Sequence, residues 1–261
     1  MKLSKLKINN RLLSLALVLC LAMGMFIYLF SQKVNYSQSL IDVSWPNCRA
    51  SIATNYANSI VGVNYGLDFK TNPCLGYETT LATNYELYFN TGDPGFPRIK
   101  LLGGSPLSCP IKNNLICYSY NYGYQAGLYD LRQAYLANAH SDYIFLDVET
   151  DNSWTTSHLA NRADIIGMIN AIDSYDLLTP KLAIYTTTYQ WQQIVGKWHL
   201  NLPLWLATGG LNRAVASLGC HQLSATNGQI IISQYTIGNL DYDIACHQWQ
   251  PTNFFNNSSL G

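Results

Sequence analysis

Short, nearly unbroken apolar runs recur along the chain, separated by stretches of helical period. The runs are Leu40 to Ser44, Ile60 to Tyr65, Glu86 to Asn90, Tyr143 to Glu149, Lys181 to Thr186, Leu204 to Ala207 and Ile230 to Tyr235. Several lack polar alternation, which predicts strands buried on both faces. Between them, Gly123 to Ala139 offers a helical stripe of Ala126, Leu128, Tyr129, Leu131, Ala134, Tyr135 and Leu136. His158 to Ile172 offers another through Leu159, Ala163, Ile166, Ile169 and Ile172, with Ser157 as a candidate cap. Strand and helix alternating in one chain predict an α/β fold with a parallel sheet and helices outside it. Closed on itself, that sheet is a TIM-like (β/α) barrel, a single domain near the small end for the architecture. The Gly, Pro and Ser content from Gly92 to about Asn114 predicts a loop insertion.

The N-terminus follows a different pattern. Lys2, Lys5, Lys7 and Arg11 precede an uncharged run from Leu12 to Phe30, long enough as a helix to cross a hydrocarbon layer of ~30 Å. Residues 1–11 therefore read as a cytoplasmic basic segment and 12–30 as a transmembrane anchor or signal peptide. The apolar run exceeds a usual signal h-region of ~7–15 residues, which favours the anchor. Residues 31–39 read as a linker, 40–250 as the barrel and 251–261 as a polar tail. Basic residues on the N-terminal side only send everything after Phe30 across the membrane, to the periplasm or cell surface.

Composition narrows the choice of function. Fifteen Lys and Arg balance fifteen Asp and Glu, and only 11% of residues are charged, which argues against nucleic-acid binding and against bulk disorder. Beyond the apolar run lie six cysteines, Cys48, Cys74, Cys109, Cys117, Cys220 and Cys246, an even number in a segment placed outside the cytoplasm. Fifteen connectivities are open to six cysteines, and proximity in sequence suggests Cys48 with Cys74, Cys109 with Cys117 and Cys220 with Cys246. Zinc is disfavoured, since no C-x-x-C or H-x-x-x-H is present. No cofactor is expected either: there is no P-loop, no G-x-S-x-G, and no G-x-G-x-x-G in a strand, turn, helix setting.

The most informative stretch is Tyr143-Ile144-Phe145-Leu146-Asp147-Val148-Glu149. Strand alternation puts Asp147 and Glu149 on one face, about 6.6 Å apart at the alpha carbons. Buried together at the C-terminal end of a barrel strand, two carboxylates repel, so one is expected to keep its proton near neutral pH while the other stays charged. A proton donor beside a fixed negative charge is what cleavage of a glycosidic bond requires. Asp42, Asp241 and Asp243 would face the same mouth if their segments are barrel strands, with Asp243 preferred over Asp241.

Taken in order, Ile41-Asp42-Val43-Ser44, Phe145-Leu146-Asp147-Val148-Glu149, Ala183-Ile184-Tyr185-Thr186 with Trp191, Pro203-Leu204-Trp205-Leu206-Ala207, and Ser233-Gln234-Tyr235-Thr236 with Asp241-Tyr242-Asp243 resemble glycoside hydrolase family 25, the Chalaropsis-type lysozymes. The resemblance covers roughly Leu40 to Cys246. It implies an irregular (β/α) barrel that cuts the β-1,4 bond between N-acetylmuramic acid and N-acetylglucosamine in peptidoglycan. Glu149 would be the proton donor and Asp147 the acid that assists the reacting sugar, with Asp42 and Asp243 completing an acidic floor. Val61-Gly62-Val63-Asn64-Tyr65-Gly66 and Leu87-Tyr88-Phe89-Asn90-Thr91 depart from the family pattern. Asp42 to Cys48, Asn72-Pro73-Cys74-Leu75, Asn121-Tyr122-Gly123 and Glu149 to Trp154 look more like a secreted, disulfide-bearing bacterial branch. Trp45, Tyr65, Tyr88, Trp154, Tyr185, Trp205 and Tyr235 fall at or near predicted strand ends, where flat rings stack on sugars. Asn90 and Gln234 join them as candidate substrate contacts. Two further readings are a barrel that binds glycan without turnover and a hydrolase of another polysaccharide.

Overall fold

The protein is described by a computed structural model over residues 40–246 except 49, 51, 53–55, 102–104 and 176–179. The basic segment, the apolar run, the linker and the polar tail lie outside the described residues. Among the described residues no helix is long and apolar enough to cross a membrane.

Eight strands close into one barrel in chain order: β1 (Leu40–Val43), β2 (Tyr56–Gly62), β3 (Ala82–Asn90), β4 (Tyr143–Asp147), β5 (Lys181–Thr186), β6 (Leu204–Gly210), β7 (Ile230–Ile237) and β8 (Leu240–Ala245). The first seven run parallel, whereas β8 is antiparallel to both β7 and β1. The reversal has a local cause. Only Gly238 and Asn239 separate β7 from β8, with Gly238 at φ +63, and so short a link can join only antiparallel neighbours. The first residues of β8 are thereby turned to the end of the barrel where the other strands finish.

Leu40, Ile60, Tyr88, Phe145, Ala183, Trp205, Ile231 and Ile232 fill the barrel interior. The Trp205 ring meets Phe145 at 5.3 Å and Tyr88 at 6.1 Å between centroids, edge to face. Phe89, Leu146 and Ile184, on the alternate strand faces, are equally buried. Apolar cover on both faces is why these strands show no polar alternation.

Helices α1 (Leu75–Glu78), α2 (Leu115–Leu136), α3 (His158–Asp173), α4 (Thr188–Val195) and α5 (Arg213–Gly219) lie between strands. Asn114, Ser157, Thr187 and Asn212 cap the last four, each side chain accepting a backbone N–H from the first turn. The two stripes expected from periodicity are partly displaced. Ala126, Leu131, Ala134, Ala163 and Ile172 are buried as expected, but Leu128, Tyr135, Leu136, Leu159 and Ile166 are exposed. The long helices instead meet through small and polar residues. A Cβ at Gly123 would overlap the Asp164 carbonyl, and one at Gly167 would overlap the Tyr120 carbonyl. Buried Asn161 donates to the Ile194 carbonyl at 2.7 Å and so ties α3 to α4. α2 also begins earlier than expected, because Asn114 caps it and Asn121 in its first turns exchanges two bonds with the backbone of Leu107 in the preceding loop.

Cys48 pairs with Cys74, Cys109 with Cys117 and Cys220 with Cys246, the connectivity suggested by proximity. The second bridge ties the 92–114 loop to the first turn of α2.

Candidate active site

The chemistry gathers where the parallel strands end. Across the sheet, Asn90 is in register with Asp147, Asp147 with Tyr185, Gln234 with Asp243, and Asp42 with Asp241. Strand alternation turns these side chains inward, above the apolar filling. Asp243 sits one layer below Asp241 and accepts the Trp205 indole N–H at 2.6 Å. Asp241 is the one opposite Asp42 at the rim, held by Thr236 Oγ1 at 2.7 Å.

β4 ends at Asp147, so Glu149 stands just past the strand. The turn that carries it is tightly held. The Asp147 carbonyl accepts from Thr91 N at 3.1 Å, Thr91 Oγ1 at 2.7 Å and Asn152 Nδ2 at 3.3 Å, and the Glu149 carbonyl accepts the Trp154 indole N–H at 2.7 Å. The Asp147 carboxylate accepts from Asn90 Nδ2. Gln234 links two other members: its amide donates to Asp42 Oδ2 at 3.1 Å, and its carbonyl accepts from Tyr185 Oη at 2.8 Å.

Every acid with a resolved tendency holds its proton more tightly than usual. Burial is the main cause for Asp147, followed by the Glu149 charge, with Asn90 and Asn152 acting in the other direction. Glu149 is raised by burial and by Asp151 and Asp241, while a hydrogen bond from Tyr185 favours its ionised form. Asp42 is raised by burial and then by Asp243, Asp241, Asp147 and Glu149. Asp243 is raised by burial and Asp241 against the Trp205 bond. Sequence reasoning expected one member of the Asp147 and Glu149 pair to keep its proton near neutral pH while the other stays charged; burial raises the proton affinity of both. Asp42 Oδ1, Asp147 Oδ1 and Asp243 Oδ2 are buried without a hydrogen-bond partner among the described residues. No Lys or Arg hydrogen-bonds to these acids among the described residues.

The aromatic candidates divide. Trp45 and Tyr65 stack on each other at 4.1 Å between centroids just beyond β1 and β2, and Tyr65 is 40% exposed. Trp154 is half-buried against the Glu149 turn. Tyr185 is half-buried with its hydroxyl among the acids. Three others offer no face to a sugar. Trp205, 1% exposed, and Tyr88 are packed in the interior below the acids, where alternation and barrel closure leave no open side. Tyr235 points out of the barrel and stacks on Tyr242 at 5.8 Å.

One determinant had no motif to betray it. Asn64 follows β2 and is fully buried; its amide donates to the Asn90 carbonyl at 2.9 Å and to Asp130 Oδ2 of α2 at 3.0 Å, while its oxygen accepts Asn90 N–H at 3.1 Å. A side-chain amide thus replaces a neighbouring strand's peptide for Asn90, the residue that holds Asp147. The signal available in the sequence was only that Asn64 interrupts an apolar run.

A cavity of roughly 220 Å³ has a wall that includes Asn90 and Asn152, the two residues whose amides bond to Asp147. A larger one of about 540 Å³, lined by Cys220 to Ser224, Asn227 to Ile230 and Cys246, lies at the other end of β7 and contains no acid. Among the described residues, no group of three His, Cys, Asp or Glu side chains is arranged to hold a metal ion.

A family model described as lysozyme-like protein 1 matches residues 119–213, a segment from α2 through β6 that includes Asp147, Glu149 and Tyr185. A solved structure from Streptococcus pneumoniae, described as the virulence factor GHIP, a glycosyl hydrolase 25 participating in host cell invasion, is similar at 14% sequence identity and a TM-score of 0.49, over 82% of this chain and 89% of that one. No curated protein matches the sequence. The family match lies across the strand that ends in Asp147 and the turn that carries Glu149, so over residues 119–213 the chain is similar to lysozyme-like protein 1.

Proposed function

We propose that the protein is a glycoside hydrolase of the muramidase type, acting on peptidoglycan outside the cytoplasmic membrane. The observation that supports this best is the convergence of Asp42, Asp147, Glu149, Asp241 and Asp243 on one barrel mouth, with three buried oxygens left without a partner among the described residues. Burying carboxyls costs several kcal/mol unless they are paired, protonated or used, so such a cluster is an expensive way merely to build a scaffold.

In this reading Glu149, raised by its surroundings and at the rim, protonates the departing glycosidic oxygen. Asp147, deeper and bonded to Asn90, stabilises the positive charge that develops on the sugar. Asp42, held by Gln234, and Asp243, held by Trp205, complete the acidic floor. Trp45 and Tyr65 form a stacked pair at the rim for a neighbouring sugar. Three disulfides suit an oxidising compartment, in accord with an N-terminal segment, residues 12–30, that anchors or exports the barrel. The full-length chain incubated with labelled peptidoglycan is expected to release new reducing ends. Saturable binding without release over long incubation would leave the glycan-binding reading, and release from another polysaccharide alone would redirect the substrate.

Tyr185 sets the pH range of this chemistry. Its single hydroxyl proton serves either Gln234 or ionised Glu149, so the bond to Glu149 lowers that acid's proton affinity. In Tyr185→Phe the hydroxyl is gone, Glu149 stays protonated to higher pH, and the alkaline limb of kcat/KM is expected to move to higher pH. A limb that stays in place or moves down would rule out this coupling.

A further inference from the structure

Asn90 lies where its strand has lost a neighbour. The ladder between β2 and β3 ends at Gly62 opposite Tyr88, with one further backbone bond from Val63 N–H to the Tyr88 carbonyl at 2.9 Å. β3 nevertheless continues to Asn90, which is in register with Asp147 of β4 on its other side. At Asn64 the chain has turned away into a hairpin, closed by Tyr65 N–H to the Lys70 carbonyl at 3.0 Å and Asn72 N–H to the Val63 carbonyl at 3.2 Å. The Asn64 side chain stands in for the missing strand, accepting Asn90 N–H at 3.1 Å and donating to the Asn90 carbonyl at 2.9 Å. Its other amide hydrogen goes to Asp130 Oδ2 at 3.0 Å, so a single orientation of the amide satisfies all of its contacts.

Asp130 is fully buried in α2, and among the described residues its carboxyl bonds to Asn64 alone, since Oδ1 has no partner. A carboxyl taken out of water destabilises the fold unless it is bonded, which makes that single contact the reason for its place. Burial and then the neighbouring Asp68 hold its proton well above the usual carboxylate range, so near neutral pH it is an uncharged acceptor.

We propose that Asn64 and Asp130 are positioning residues for the acid pair: Asp130 orients the Asn64 amide, Asn64 fixes the peptide groups of Asn90, and Asn90 thereby brings its side-chain Nδ2 to the Asp147 carboxylate. Both are fully buried, so neither meets a sugar; the relay runs from a helix outside the barrel to its mouth. The proposal deepens the glycosidase reading and rests on it for the use made of Asp147, whereas the positioning itself is measured without turnover.

The test follows the ionisation of Asp147 by carbon NMR in the aspartate-labelled full-length chain, with the carboxyl signal assigned by its loss in Asp147→Asn. The titratable groups facing Asp147 are Glu149 and Asp151 beyond β4, Asp42 on β1, Tyr88 on β3 and Tyr185 on β5, and every other variant leaves them in place. The Asn90 bond favours the ionised form, so Asn90→Ala is expected to move the Asp147 midpoint to higher pH. Asn64→Ala should move it the same way, and the double variant no further than Asn90→Ala alone, because both changes break one relay. Asp130→Leu removes the acceptor and should also move the midpoint up. Asp130→Asn keeps an oxygen for Asn64 and, like the protonated acid, carries no charge, so it should hold the midpoint of the unaltered chain. Should Asn64→Ala fail to fold, shown by collapsed amide dispersion, the two Asp130 variants carry the test. A midpoint unmoved by Asn64→Ala, shifts that add in the double variant, or equal midpoints for Asp130→Leu and Asp130→Asn overturn the proposal. In turnover, Asp130→Leu should lower kcat by up to about 10²-fold with KM little changed. Absence of reducing-end release with the NMR pattern intact refutes only the hydrolase, and release with additive shifts refutes only the relay.

Discussion

Replacement of Glu149 by glutamine is expected to lower reducing-end release from peptidoglycan by about 10²–10⁴-fold, the range attributable to a positioned general acid. Glutamine keeps the size of the side chain and an oxygen that accepts from Tyr185, so the geometry around the residue survives. What it lacks is a proton to donate as the glycosidic bond breaks. Binding of the uncut glycan should therefore persist while kcat falls, and the thermal midpoint should remain near that of the unaltered chain. Asp147→Asn offers a contrast. It removes the carboxylate but also points an NH₂ or an oxygen into the buried site where Asp147 Oδ1 has no partner among the described residues, so it is expected to cost stability as well as rate, about 1–3 kcal/mol for an unsatisfied buried group. Retention of more than a tenth of the activity by Glu149→Gln would remove this residue from the role of proton donor.

The largest effect on stability is expected at the contact between α2 and α3. Gly123→Ala would drive a methyl group into the Asp164 carbonyl, and Gly167→Ala one into the Tyr120 carbonyl. Both obstacles are helix backbone and cannot rotate aside like the end of a side chain. Separation of the helices would also open the packing of Ala126, Leu131, Ile165 and Met168, all fully buried. A cost of about 3 kcal/mol or more follows for either substitution, which at roughly 2–4 °C per kcal/mol lowers the midpoint by about 6 °C or more. Gly76 is the control. It lies in α1 with open space around its Cβ position, and Gly76→Ala should be neutral or slightly stabilising. Thermal unfolding with the disulfides intact reads all three; a Gly123→Ala midpoint equal to that of Gly76→Ala would show that the helices can part without penalty.

Much of the barrel was legible in the sequence because its strands are covered on both faces. Lys181–Thr186 was delimited to the residue, and Tyr143 to Asp147 was contained in the expected run. The helices were less legible. Hydrophobic period assumes that the buried face is the apolar one, but α2 and α3 bury Gly123, Gly127, Asn161 and Asp164 and leave Leu128, Leu136, Leu159 and Ile166 outside. Close backbone approach rewards small residues there, and capping or cross-linking bonds reward polar ones, so the stripe does not point at the neighbour.

The amino-acid sequence by itself determined the alternation of strands with helices and the spacing of Asp147 and Glu149. These are local properties, set by backbone alternation and by short loops. Tertiary structure decided which aromatics meet solvent: closure of the barrel put Trp205 and Tyr88 inside, while Trp45 and Tyr65 were left stacked at the rim. It also decided that Asp241, delivered by a strand reversed at Gly238, faces Asp42, and that Asn64 and Asp130 support Asn90 from behind. Those contacts join positions far apart in the chain, and they exist only because closing the sheet buries polar groups that must then find their partners in one another.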